Sequence, residues 1–190
     1  MMKKIIMMIL VMSIVLFACG NNKESKEPVI ANEVPVETEK DFSLQIPDFY
    51  NQTDTEFVES AKKTYSDLEA KGDIERVFGK SGLEVEIVSL NGQFFEKDQV
   101  IGVGVFVANN SGKDIDSFSM DLELQVEGYP EAKIVSENVE FGHDMIGTMK
   151  ANSIMPLKVL LPCQNFNPNK DTFTSKELKV IFKNVKVNKS

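Results

Sequence analysis

The chain has 190 residues and carries 29 acidic against 21 basic side chains, a formal net charge of −8. A balance this acidic repels nucleic-acid phosphates and anionic lipid headgroups, so charge-driven binding to either is excluded. One histidine, two cysteines and no tryptophan leave little for metal or nucleophilic chemistry, while a hydrophobic content of 42% suits one domain with a sizeable core.

Lys3 and Lys4 precede an apolar run over residues 5–17 that only Ser13 interrupts. At about 1.5 Å per residue the run reaches roughly 20 Å, short of the roughly 30 Å of bilayer hydrocarbon, which makes it a secretory signal rather than a membrane span. Its ending, Leu16-Phe17-Ala18-Cys19, resembles the lipobox of bacterial lipoproteins. The resemblance implies a signal peptide over residues 1–18, diacylglycerol on the Cys19 thiol and an extracytoplasmic place in the bacterial cell envelope, with the membrane engaged through the lipid. Two acyl chains, at about 0.8 kcal/mol per buried CH2, hold a protein where one holds it only marginally. Cys163 is then the remaining thiol, and no intrachain disulfide is expected.

Residues 19–40 hold the lipidated cysteine and a charge-rich stretch with Pro28 and Pro35 that reads as a disordered tether, about 25 Å in mean span. Phe42, Leu44 and Ile46 alternate up to Pro47, which predicts a short edge strand. Thr53-Asp54-Thr55-Glu56 has the form of a capping box. Phe57, Ala61, Tyr65 and Leu68 then recur at helical spacing, predicting an amphipathic helix that ends near Gly72, with a further turn through Ile74, Val77 and Phe78. Residues 41–80 are therefore expected to pack onto a domain over residues 81–190.

From Leu83 the period is two. A first strand runs from Leu83 through Val85 and Ile87 to Leu90 and meets Asn91-Gly92, a turn signal. Ile101, Val103, Val105 and Val107 form one face of the next. Phe118, Met120, Leu122, Leu124 and Val126 alternate with polar residues throughout, so one face is buried and the other wet. Val135, Val139 and Phe141 are less regular. Met155, Leu157, Val159 and Leu161 make another strand, and Leu178, Val180 and Phe182 the last, continuing through Val185 and Val187. The pattern predicts a mainly β fold, an antiparallel β-sandwich of six to seven strands preceded by one amphipathic helix.

The run Ala108-Asn109-Asn110-Ser111-Gly112-Lys113-Asp114 between two such strands resembles the immunoglobulin-like domains of small bacterial surface lipoproteins. Ile146-Gly147, and Ala151-Asn152-Ser153 leading into an apolar strand, are similar to the same group, including the surface-layer-associated SLAP domains. The resemblance spans residues 83–187. It implies an immunoglobulin-like sandwich in an extracytoplasmic setting and carries no functional residues with it.

Chemistry is sparse. A hydrolase with a Ser-His-Asp arrangement would have to use His143, which has Asp144 beside it, but no nucleophile motif accompanies the pair, so a hydrolase is the least expected function. Cys163, in Leu161-Pro162-Cys163, reads as a semi-buried strand-end residue rather than a nucleophile paired with His143. Gly102 and Gly104 lack the third glycine and the following helix of a dinucleotide site; they thin one strand face so that a neighbour such as the helix after Thr53 can approach. Asp114 and Asp116 provide too few oxygens for calcium. His143 and Met145, with Met149, Met155 and Met120, supply the soft ligands that select Cu(I); His143-x-Met145 resembles an element of periplasmic copper chaperones, without that family's upstream ligands. Copper is the minor expectation, since Met120 and Met155 fall in phase with core faces. The major one is a non-enzymatic binding module for an envelope protein or wall polymer, recognised at residues 142–152 and 162–175. Lys176, Lys179, Lys183, Lys186 and Lys189 serve as protection for an edge strand or as contacts to an anionic polymer.

Overall fold

Two-residue alternation governs the chain beyond residue 84, and the structure is mainly β. The computed structural model describes residues 41–79 and 82–190; the expected signal, lipidated Cys19 and tether lie outside them. Among the described residues there are eight strands: β1 (Ser43–Leu44), β2 (Val85–Phe95), β3 (Val100–Asn109), β4 (Ile115–Val126), β5 (Lys133–Phe141), β6 (Ser153–Gln164), β7 (Thr172–Thr174) and β8 (Leu178–Lys189). They join in the order β7-β2-β3-β6-β5-β4-β8, antiparallel throughout, with β1 added parallel to β6. Four short helices accompany them: α1 (Asp48–Thr53), α2 (Thr55–Ala70), α3 (Ile74–Phe78) and α4 (His143–Ile146).

β5 is the hinge of the sheet. Most of it pairs with β4, from Val135 to Phe141, but Lys133 and Ile134 pair instead with Gln164 and Cys163 of β6. The two halves of the sheet thereby line one core, in which Ile101, Val103 and Val105 of β3 meet Phe118, Met120, Leu122 and Leu124 of β4 and Leu178 of β8.

Asn91-Gly92 is not a turn. A bulge between Ser89 and Asn91 inserts one residue into β2 and inverts its phase: Val85, Ile87 and Ser89 face the core before it, Gly92 and Phe94 after it. A Cβ on Gly92 would stand 2.9 Å from Leu178 Cδ1, so glycine serves close approach rather than chain reversal. The reversal comes at residues 96–99, where Gln99 takes a positive φ of 50°.

Bulges also align across β5, β4 and β8. Each neighbour of β4 carries an extra residue opposite the Met120–Leu122 region, with Asn138 and Asn184 in the left-handed region that asparagine tolerates. Asp121 joins the two: its Oδ1 accepts from Asn138 N at 2.8 Å and its Oδ2 from Asn184 Nδ2 at 2.6 Å. These two bonds, the backbone one first, hold its carboxyl below the usual range.

The expected capping box takes a different form. Asp54, one residue past Thr53, caps α2 by accepting from Phe57 N at 3.1 Å, whereas the Thr53 hydroxyl donates back to Phe49 O at 2.7 Å and ends the unforeseen α1. α2 stops before Gly72, φ 65°, and α3 forms the further turn. Phe42, Ala61, Tyr65, Ile74, Phe78, Phe106, Ala108 and Ile154 make a second, smaller core on the outer face of β3 and β6, and Tyr65 Oη donates to Phe42 O at 2.7 Å within it.

Candidate functional site

Among the described residues, hollows of about 670, 660 and 610 Å3 open to the surface. The first lies where β5 parts from β4 and is rimmed by opposed charges, including Glu123, Glu127, Lys133 and Lys176. The second sits between the 96–98 turn and residues 167–171. The third has strands for its floor and walls and a helix at one end, the construction that holds polar groups most rigidly.

This third hollow is a trough on the outer face of β2, β3 and β6. Because Ile101, Val103 and Val105 turn into the core, Gly102 and Gly104 lie on the opposite face. Asn91 stands beside Gly104 and Lys158 on its other side; Gln93 and Leu160 flank Gly102 in the same way. Thr172 of β7 extends the row beside Gln93. The glycine column admits its neighbours, as the sequence predicts: a Cβ on Gly104 would meet Asn91 Oδ1 at 2.8 Å and Phe57 Cε2 at 3.1 Å, and one on Gly102 would meet Phe95 Cε2 at 3.2 Å and Leu160 Cδ2 at 3.3 Å. Phe95 and Leu160 nonetheless remain 39% and 67% exposed.

Charge in the trough is paired. Asp54 Oδ2 bonds Lys158 Nζ, and the ammonium also lies 4.8 Å from the centre of the Phe57 ring. Lys158, then the Phe57 amide, hold the Asp54 carboxyl below its ordinary range. Tyr50 completes this end by accepting from Lys158 N at 2.9 Å, and burial pushes its phenol up. Among the described residues the side chains of Asn91, Gln93 and Thr172 make no internal hydrogen bond.

The free edge of β6 beside the trough is guarded. Ile154 O, which faces away from β3, accepts from Gln45 N at 2.9 Å, and the Lys158 amide on the same side goes to Tyr50. Pro156 and Pro162 share that parity and have no N–H to offer.

The residues singled out from sequence are dispersed. His143 opens α4 with its side chain 67% exposed, and its Nδ1 lies 3.8 Å from Asp116 Oδ1, which accepts from Thr148 Oγ1 at 2.8 Å. The carboxylate rather than the imidazole occupies the middle of this row, unlike a hydrolase triad. Asp144 folds over Gly142 instead. Asp114 bonds Lys150 Nζ at 2.8 Å and the Ala151 amide at 3.0 Å. Met120, Met149 and Met155 are buried in the core and Met145 packs against its margin, so thioethers and imidazole face different surroundings. Cys163 is buried at the far end of β6, about 33 Å of strand from Ser153 and the α4 loop; burial pushes its thiol up to about 11, which keeps it protonated at neutral pH.

Of the expected docking loops, residues 142–152 are tied down by Asn109, fully buried, whose Nδ2 donates to Lys113 O, Met149 O and Lys150 O. In the other, Phe166 is buried against Phe94, Phe173 and Tyr129. Glu177 accepts from Lys170 Nζ and then from Thr174 N and Oγ1, which lower its carboxyl to about 2. Sequence reasoning missed the trough's amides because Asn91 was placed in a turn, and it missed Phe95 and Leu160. Exposed apolar residues in strands that otherwise alternate cleanly were the available signal.

No family model matches the chain, and comparison with curated proteins and with solved structures gives no match.

Proposed function

We propose that the protein is a lipid-anchored, extracytoplasmic binding module: diacylglycerol on Cys19, a tether over residues 19–40, and an immunoglobulin-like β-sandwich that presents the trough beside α2. The single observation behind a binding role is that trough, which leaves Asn91, Gln93 and Thr172 without internal partners next to exposed Phe95 and Leu160. A hollow that sets a few polar groups beside exposed apolar side chains is the composition of a recognition site. The sandwich reading is supported by the two half-sheets that share one core through the crossing of β5.

The test is site-specific photocrosslinking in cells carrying the full chain. Probes at Phe95 and Leu160 are expected to trap an envelope component, and probes at Val135, exposed on another face, are not. Equal trapping at all three positions, or trapping at none, overturns the reading. Fatty-acid labelling that persists in Cys19→Ala overturns the anchor.

A further inference from the structure

The trough discriminates among ligand chemistries. Its floor strand, β3, is paired on both sides by β2 and β6, so no backbone amide is left there for an extended peptide to pair with. The adjacent edge of β6 is interrupted by Pro156, Pro162 and the Tyr50 hydroxyl, which leaves no run of donors there for a continuous strand pairing. Asp54 and Lys158 neutralise each other, Glu56 stands at the rim, and the whole chain carries −8, so a polyanion is repelled.

What remains is two primary amides, a hydroxyl and a ring. Each amide offers donors and an acceptor side by side, the complement of a pair of neighbouring hydroxyl groups. Asn91 and Gln93 lie two residues apart on one face, about 6.7 Å, and so meet different hydroxyl pairs of one ligand. Phe95 supplies a flat apolar surface at the end of that row. We propose that the trough binds a neutral, hydroxyl-rich glycan chain, with hydroxyl pairs on the Asn91 and Gln93 amides and the C–H face of one sugar on Phe95. The inference rests on the reading of the trough as a binding surface and gives its ligand class.

The full-length chain in detergent micelles is titrated calorimetrically with chitotetraose, cellotetraose, maltotetraose and a soluble neutral mannan, and in parallel with a library of unstructured peptides. Saturable binding of at least one glycan is expected, weakened about tenfold or more in Gln93→Ala and in Phe95→Ala and unchanged in Val135→Ala. Because these side chains are exposed, thermal melts of all three variants should overlay the parent. Absence of glycan binding, or binding indifferent to Gln93 and Phe95, overturns the inference. Peptide binding without glycan binding, lost in Leu160→Asp, overturns the glycan and leaves the binding module standing. Absence of crosslinks at Phe95 and Leu160 removes both.

Discussion

One face of β3 has two fates. At Phe106 and Ala108 it is sealed beneath α2 and α3, where Phe78 meets Phe106 with ring centres 6.2 Å apart and both are fully buried. A few residues earlier, at Gly102 and Gly104, it becomes the floor of the trough. Side-chain size decides between them: phenylalanine fills the space under a helix and makes a core, whereas glycine draws Phe57, Phe95, Asn91 and Leu160 inward and leaves a depression above them. A stable face and a receptive one can therefore share a strand.

The sealed half should break hardest. Phe106→Ala is expected to lower unfolding free energy by about 3–5 kcal/mol in a urea titration, the range for a large buried aromatic, with the trough's ligand binding otherwise intact at low temperature. Gly104→Val lies at the seam. Its side chain would press on the buried Phe57 ring, and a loss of about 1–3 kcal/mol is expected, read as a fall in melting temperature. If Gly104→Val melts like the parent, the close approach of α2 is not what the glycine is for.

Asp54→Ala should cost about 1 kcal/mol through the lost helix cap. The sign with pH follows from the direction of its shift. Its carboxyl is held low in the folded chain, so its contribution is fully present above the ordinary aspartate range and is lost as pH falls through the folded value. The stability difference between parent and variant should shrink below about pH 4, and urea titrations at neutral and acid pH would show it. A difference that grows on acidification would refute the Lys158 pairing as its source. The smallest stability effect belongs to the open half: Gln93→Ala and Leu160→Ser should change stability by less than about 0.5 kcal/mol, although they disturb binding most.

The sealed half was legible before the structure was. Phe57, Ala61, Tyr65 and Leu68 announce a helix needing a surface, and Gly104, at the seam with the trough, announces where that helix comes close, because such signals are local. The open half was hidden by the bulge in β2. A single inserted residue made Val85 and Ile87 look like a strand ending at Leu90, and Asn91-Gly92 like a hairpin turn, although both continue the strand. β7, three residues long, is too short for a period to show, and α1 depends on contacts its sequence does not contain. His143 and the methionines illustrate another limit: spacing places them near one another in sequence, but the inward or outward turn of each is set by tertiary packing.

The Asp121 carboxylate is bonded to Asn138 on one side and Asn184 on the other. It gathers the surplus residues of β5 and β8 opposite one point of β4, and β4, whose own extra residue lies earlier, between Ile115 and Ser117, keeps unbroken alternation from Phe118 to Val126. One carboxylate thus clasps the slack of two strands at once, so that changing Asp121 alone would release both.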